Sequence, residues 1–137
     1  MKKLYIFGAI VLVLVIVIGA FVIANYLETL NALKHETDRW AVIEDVNGDR
    51  MAVEPVSDEV WFQMIQMRQN GSRLFVGSIV EKYDNKWGFR FKPDNVTIAE
   101  FTAEGLQATI RYISENLDYW LGGWAYVSSQ VIEINSP

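Results

Sequence analysis

The 137-residue sequence predicts an α+β protein in which one transmembrane helix precedes a small domain with a mostly antiparallel sheet and two covering helices. Three observations support this prediction. Residues 4–24 contain no charged, amide or proline side chain, apolar side chains alternate along residues 87–91, and two later segments combine a capping residue with helical spacing of apolar residues. The predicted order of elements in the domain is ββαββαβ, which an antiparallel sheet with helices packed on it accommodates.

Residues 4–24 predict a membrane-spanning helix. Twenty-one residues at about 1.5 Å each extend over roughly 30 Å, the thickness of a hydrocarbon core in which a helix satisfies its own backbone. Lys2 and Lys3 directly precede the run, whereas the first basic residue beyond it is Lys34. Because basic residues that flank a span stay in the cytoplasm, we expect a single-pass protein of the cell membrane with a cytoplasmic N-terminus and an extracytoplasmic domain.

Two other interpretations of this segment compete with the anchor. Residues 22–24 offer small side chains to a signal peptidase, but the apolar run exceeds the roughly 7 to 15 residues of a signal core, which favours an uncleaved anchor. A pilin leader needs a small residue before the run, and here Lys3 meets Leu4. Ala20 and Ala24 have the spacing that lets a second helix approach closely, so they are candidate helix-packing residues.

The chain beyond the span is predicted to begin with a short helical stalk. Leu27, Leu30 and Leu33 keep helical spacing without an intervening Gly or Pro, which predicts that the helix continues to about Glu36. The predicted domains are the cytoplasmic tip with the transmembrane helix, the juxtamembrane stalk and the extracytoplasmic α+β domain, at residues 1–24, 25–38 and 39–137.

The composition excludes several classes of function. Beyond Lys2 and Lys3 the chain has ten basic and seventeen acidic residues, so neither nucleic acid nor an anionic lipid surface is an expected partner. The chain has no cysteine, which excludes disulfides, thiolate metal sites and thiol catalysis. The single histidine, His35, lies in the stalk, where no catalytic triad can assemble around it.

The domain is predicted to begin with a β-hairpin. Residues 39–46 and 51–56 carry loosely alternating apolar side chains, and Asn47-Gly48 between them favours a tight primed turn. Asp45, Asn47 and Asp49 also have the spacing of the first three ligands of a calcium loop. The Gly and the bidentate Glu of such a loop are absent, so these three residues are a weak metal candidate and turn chemistry is favoured.

A helix and three strands are predicted to follow. Ser57 caps a helix that Asn70-Gly71 ends, because a hydroxyl at the start and a glycine after the end are typical helix boundaries. Residues 73–82 and 87–91 are predicted strands joined by a turn, and residues 96–98 form a short further strand. Asn70 and Asn95 each begin an Asn-x-Ser/Thr triplet in a predicted loop, which makes them candidate glycosylation sites.

The longest helix of the domain is predicted to run from a Thr102 cap to about Leu121. Its apolar residues fall on one stripe: Leu106, Ile110, Ile113, Leu117 and Leu121. Glu104, Glu115 and Asp118 take the opposite, polar side, where a solvated surface is a better explanation than acid or base catalysis. Gly122-Gly123 stops the helix, and residues 127–134 are the predicted final strand.

One stretch of the sequence carries a family resemblance. The motif consists of Tyr83, Trp87-x-Phe89-x-Phe91-x-Pro93-Asp94, Ala108-Thr109-Ile110-x-Tyr112-Ile113 and Asn116-Leu117-Asp118. It resembles a small uncharacterised α+β domain family named after the N-terminal domain of a calmodulin-binding protein, and the similarity extends over residues 52–134. The resemblance implies a fold and supplies no catalytic residue. It does not imply calmodulin binding, because calmodulin binds basic amphipathic helices and this domain is acidic.

These observations predict a non-catalytic protein without a cofactor. The favoured hypothesis is an accessory or structural subunit of a larger membrane protein complex, with other membrane subunits and the lipid bilayer as partners. The alternative is an anchored module that binds a glycan or peptide through an aromatic surface formed by Tyr83, Trp87 and Trp124. A pilin-like filament subunit is the second alternative.

Overall fold

The computed structural model describes residues 2–136, and the chain divides into two compact units, Met1–Asn31 and Ala32–Pro137. The two terminal residues, at which the predicted cytoplasmic tip begins and the predicted outer domain ends, lie outside the described residues. Helix α1 (Lys2–Ala32) is long and apolar enough to cross a membrane, with a mean hydropathy of 3.3 within Tyr5–Ala32. Signal sequences share this length and composition. The predicted helix is therefore present, and it ends at Ala32, not at about Glu36.

The domain is built on one antiparallel sheet, which has six strands within residues 2–136. The strands are β1 (Trp40–Glu44), β2 (Arg50–Val53), β3 (Leu74–Lys82), β4 (Phe89–Phe91), β5 (Thr97–Ala99) and β6 (Trp124–Asn135). Their order is β2-β1-β6-β3-β4, and β5 pairs with β3. The helices are α2 (Asp58–Asn70), α3 (Ile110–Glu115) and α4 (Leu117–Trp120), with short 3-10 turns at Pro93–Asn95 and Glu104–Leu106. The predicted α+β class is confirmed.

The hairpin of β1 and β2 turns at the predicted residues but with different geometry. The amide N–H of Asp45 donates to the carbonyl of Asp49 over 3.0 Å, and Glu44 is opposite Arg50. Gly48 has a φ of 82°, whereas no other residue type has a positive φ in the described chain. A primed turn requires a positive φ at both central residues, so the predicted primed turn is wrong and Gly48 alone supplies the left-handed conformation.

Tertiary contacts break the long helix predicted from Thr102 to Leu121. The amide of Ala108 donates to the carbonyl of Tyr126 on β6 over 3.0 Å, which holds residues 107 and 108 in extended conformation. Helix α3 therefore starts after Thr109, whose hydroxyl accepts a hydrogen bond from the amide of Tyr112. Asn116 then leaves the helical region, with φ −131° and ψ 42°, and separates α3 from α4.

The two edges of the sheet approach each other and enclose the core. Strands β2 and β4 lie at opposite ends of the strand order, yet they contact one another, so the sheet curls into a partial barrel. The indole N–H of Trp87 donates to the carbonyl of Arg50 over 2.8 Å and links the two edges. The largest fully buried side chains fill the space inside: Phe89, Phe91, Ile43, Met51, Met64, Ile110 and Ile113.

Gly77 lies on β3 directly opposite Tyr126 of β6, and its missing side chain makes room for the tyrosine ring. A methyl group at this position would overlap ring atoms of Tyr126 and the carbonyl oxygen of Ala125. Overpacking of this kind costs roughly 1 to 3 kcal/mol. We therefore expect Gly77→Ala to lower the free energy of unfolding by about 2 kcal/mol, measured by urea denaturation with tryptophan fluorescence in detergent micelles.

Gly105→Ala is the matched control for this substitution. A methyl group at Gly105 meets open space, and its φ is not positive, so the change in unfolding free energy should stay within about 0.5 kcal/mol. Equal losses for the two variants would contradict the packing role of Gly77.

Candidate functional site

Exposed aromatic side chains gather where α3 and α4 meet. Trp120 is buried and forms edge contacts with two tyrosine rings, Tyr112 at 6.4 Å and Tyr119 at 5.1 Å between ring centroids. Both tyrosines lie largely in solvent, and Tyr119 is 75% exposed. Large amphipathic rings held in place by a buried neighbour bind protein surfaces at low entropic cost.

The segment after α4 adds two more exposed side chains. The amide of Gly122 donates to the carbonyl of Val80, and the amide of Val80 donates to the carbonyl of Gly123, both over 2.9 Å. This pairing places Leu121 and Trp124 on either side of a tight turn, with Trp124 38% exposed and its ring stacked on Tyr126. We call the four exposed side chains the aromatic surface: Tyr112, Tyr119, Leu121 and Trp124.

Of the three rings predicted to form a binding surface, only Trp124 belongs to the aromatic surface. Trp87 is 4% exposed, because its ring packs in the core and its N–H is bonded to Arg50. Tyr83 is half-buried beneath the cations of Arg90 and Lys34, at 4.6 and 5.7 Å from its ring. The structure therefore does not bring the three rings together, and the glycan hypothesis depends on Trp124 alone.

The weak calcium candidate has a clear structural role. Asp45 is 2% exposed, and its carboxylate accepts hydrogen bonds from the amides of Asn47, Asp49 and Ile110, all within 3.1 Å. Asp49 is paired with Arg111 at 3.1 Å, which raises the pKa of Arg111 through that hydrogen bond and the carboxylate's charge. Among the described residues no cluster of three or more His, Asp or Glu side chains is arranged to hold a metal ion.

A polar cluster that the sequence did not reveal surrounds Arg90. Its guanidinium contacts Glu81 at 2.9 Å, Glu36 at 3.1 Å and Glu54 at 3.6 Å. Burial lowers the pKa of Arg90, but hydrogen bonds with Glu81 and Glu36 raise it by more, so the pKa lies above its ordinary value. We call Arg90, Glu36, Glu54, Glu81 and Tyr83 the Arg90 cluster.

The Arg90 cluster fastens the segment that follows α1 to the strands. Glu54 is 6% exposed, and its Oε1 accepts hydrogen bonds from the amides of Glu36 and Thr37 and from the Thr37 hydroxyl, at 2.6 to 2.8 Å. Arg39 continues this attachment through Asp58 at 2.7 Å. Alternation along the strands finds none of these contacts, because they join positions 17 to 19 residues apart.

The remaining candidates lie apart from the aromatic surface. His35 stacks on Trp40 with 4.1 Å between ring centroids. Asn70 is exposed at the end of α2, whereas Asn95 is half-buried in a 3-10 turn. Ala20 and Ala24 are exposed on α1. Tyr112 and Tyr119 were missed, although two tyrosines seven residues apart on the polar side of a predicted helix were a usable signal.

Comparison with known proteins identifies the domain. A family model described as an N-terminal domain, that of the calmodulin-binding protein whose family the sequence resembles, matches residues 39–137. No curated protein and no solved structure matches the chain.

Asp45 connects the β1–β2 turn to the start of α3. Asp45→Ala removes the acceptor of three amides, and leaving buried donors without a partner costs roughly 1 to 3 kcal/mol or more. We expect the free energy of unfolding to fall by about 3 kcal/mol, measured by urea denaturation. Asn47→Ala, at an exposed position in the same loop, should change it by less than about 0.5 kcal/mol. A calcium-dependent stabilisation that both substitutions abolish would contradict this role.

The Tyr83 hydroxyl is buried without a hydrogen-bond partner among the described residues. Burial raises the pKa of Tyr83 above 10.0, and the charges of Glu36 and Glu54 raise it further. A raised pKa in the folded state means that the stability present below pH 10 is lost as the pH rises towards the folded pKa. Tyr83→Phe should therefore raise the unfolding free energy by about 1 kcal/mol at neutral pH and reduce its decline above pH 10.

Thermal unfolding of the wild type and Tyr83→Phe across pH 7 to about 11.5 measures both effects. Tyr119→Phe, at an exposed ring, is the control for removal of a hydroxyl from water. A Tyr83→Phe variant that is less stable than the wild type at neutral pH would show that the hydroxyl has a partner.

Proposed function

The chain belongs to this N-terminal domain family, named after a calmodulin-binding protein, and from this premise we propose that it is a non-catalytic, membrane-anchored subunit of a larger membrane protein complex. In this proposal α1 spans the membrane with its N-terminus in the cytoplasm, and the domain binds a partner protein outside it. The observation that carries the proposal is the aromatic surface on a family domain that follows an apolar helix.

The apolar helix supports the location. An apolar helix followed by a small domain is compatible with a membrane-anchored protein. The side chains described along residues 5–31 lie in solvent and contain apolar groups of the size that lipid or another helix covers. The two lysines that precede the run favour the proposed orientation under the positive-inside rule.

The chemistry of the domain supports a non-catalytic role. Its most buried carboxylates, Asp45 and Glu54, accept hydrogen bonds from backbone amides, which is a structural use of their charge. Glu104, Glu115 and Asp118 lie at the surface, as expected of solvated residues. The single histidine is stacked on Trp40, where its ring serves packing.

The aromatic surface supports protein binding. Tyr112, Tyr119 and Trp124 expose large rings whose backbone positions are set by short helices and a tight turn. Tyr and Trp are the residue types that contribute most to protein interfaces, commonly about 2 kcal/mol or more each. The surrounding acidic residues, Glu115 and Asp118, provide a polar rim.

Substitution of the aromatic surface tests this proposal. We expect Tyr119→Ser combined with Trp124→Ser to weaken co-purification of partner proteins by at least about 100-fold, since two rings contribute about 2 kcal/mol each. The measurement is quantitative mass spectrometry after affinity purification of the full chain in mild detergent. Phe62→Ser removes an equally exposed ring from α2 and should leave the partners bound.

Replacement of residues 4–24 by an unrelated apolar span separates the contribution of α1. Loss of partners on this exchange indicates that α1 packs in the complex, whereas retention shows that it only tethers the domain. Migration of the wild-type chain as a monomer in native gels under mild conditions, with no co-purifying protein, would contradict the proposed subunit role.

A further inference from the structure

Strand β5 leaves one edge of the sheet open. In the described part of the chain its strand partner is β3, with Thr97 opposite Gly77 and Ala99 opposite Phe75. Edge strands with unpaired backbone groups are templates for the addition of another strand. The direction of the backbone groups of β5 therefore decides whether this edge can bind.

Hydrogen bonds on the neighbouring strands establish that direction. The carbonyl of Tyr126 on β6 points away from β3, because it accepts from Ala108, and the carbonyl of Ile79 on β3 points away from β6, because it accepts from Lys92. Backbone groups alternate in direction along a strand, and directly opposite residues of an antiparallel pair exchange both hydrogen bonds. Odd-numbered residues of β3 thus bond to β5.

It follows that Phe75 and Gly77 bond to Ala99 and Thr97. Ile98, between these two residues, directs its N–H and C=O outward from the open edge. Its side chain is opposite Val76, on the face of the sheet that packs against the core. An added strand would therefore pair with the backbone of Ile98 and place alternate side chains on that same face.

A groove of about 220 Å³ lies beside this edge. The polar wall comes from α2, where Gln63, Gln66 and Asn70 follow one another on one flank of the helix. Leu74 and Ile98 provide apolar lining. The volume suffices for one medium-sized apolar side chain, and the amides offer donors and acceptors to a passing main chain.

The charge of the groove selects the partner. Glu100 carries the one charge among the described residues that line the groove, and it is exposed. Residues 39–137 contain nine basic and fourteen acidic residues, so the surrounding field also attracts a cation. Three ladder positions make β5 too short to recruit a strand by backbone bonds alone, so pocket and charge must contribute.

We propose that the β5 edge and the flank of α2 bind an extended, basic segment of a partner protein by strand addition. One apolar side chain of that segment enters the groove beside Leu74 and Ile98, and a flanking lysine or arginine pairs with Glu100. This groove shares no residue with the aromatic surface, so its peptide binding and the proposed subunit role succeed or fail separately.

Fluorescence anisotropy of a labelled, terminally blocked pentapeptide, Thr-Lys-Val-Lys-Thr, tests the proposal on the full chain in detergent micelles, with empty micelles as the baseline. We expect binding that weakens at least tenfold when the central valine amide is N-methylated, because the methyl group removes a strand hydrogen bond. Replacing both lysines of the peptide by glutamate should abolish binding.

Glu100→Lys should weaken the lysine peptide about tenfold, and Gln66→Trp should block it by filling the groove. Asp118→Lys makes the same change in net charge at a surface position on α4 and should leave the affinity unchanged. Slower hydrogen exchange of the Ile98 amide on peptide addition would complete the support.

Four results would overturn the proposal. They are the absence of peptide binding, equal affinity for the N-methylated peptide, equal losses for Glu100→Lys and Asp118→Lys, and protection of the Ile98 amide by protein concentration alone. The last result would assign the edge to a second copy of the chain.

Discussion

The domain depends on the contact between the two edges of its curled sheet. Strands β2 and β4 meet without a backbone ladder, so side chains must join them. Trp87 provides its ring to the core and its N–H to β2, and Arg90 reaches Glu54 at the end of β2. Because the core is enclosed only when these edges meet, the burial of Phe89 and Phe91 follows from the same contacts.

Buried charges in this domain hold connections in place. Asp45 joins the first hairpin to α3, and Glu54 joins the segment after α1 to β2. Charged groups taken out of water require partners, and backbone amides with one guanidinium satisfy these two carboxylates. What remains at the surface for recognition is therefore aromatic at α3 and α4 and amide-rich beside β5, which is the chemistry of a binding module.

Local sequence signals predicted the elements that form within one segment. Ser57 accepts the amide of Val60 at the start of α2, and Gly71 adopts the left-handed conformation after its end. The alternation of Phe89 and Phe91 gave a correct strand, because side chains on successive residues point to opposite faces. Thr102 failed as a cap because Ala108 bonds to β6, a contact between residues far apart in the sequence. The candidate site was largely unpredicted: Trp124 was named, whereas Tyr112 and Tyr119 were assigned to a solvated helix face.

The sequence by itself determined the apolar helix, the α+β class, the family and the absence of thiol chemistry, because each depends on composition or on spacing within one segment. Only the tertiary structure decided that Trp87 is buried, that Asp45 caps a connection and does not present its oxygens to a metal, and that Ile98 directs its backbone outward. Exposure and hydrogen-bond direction depend on which strands become neighbours, and distant residues jointly determine that choice.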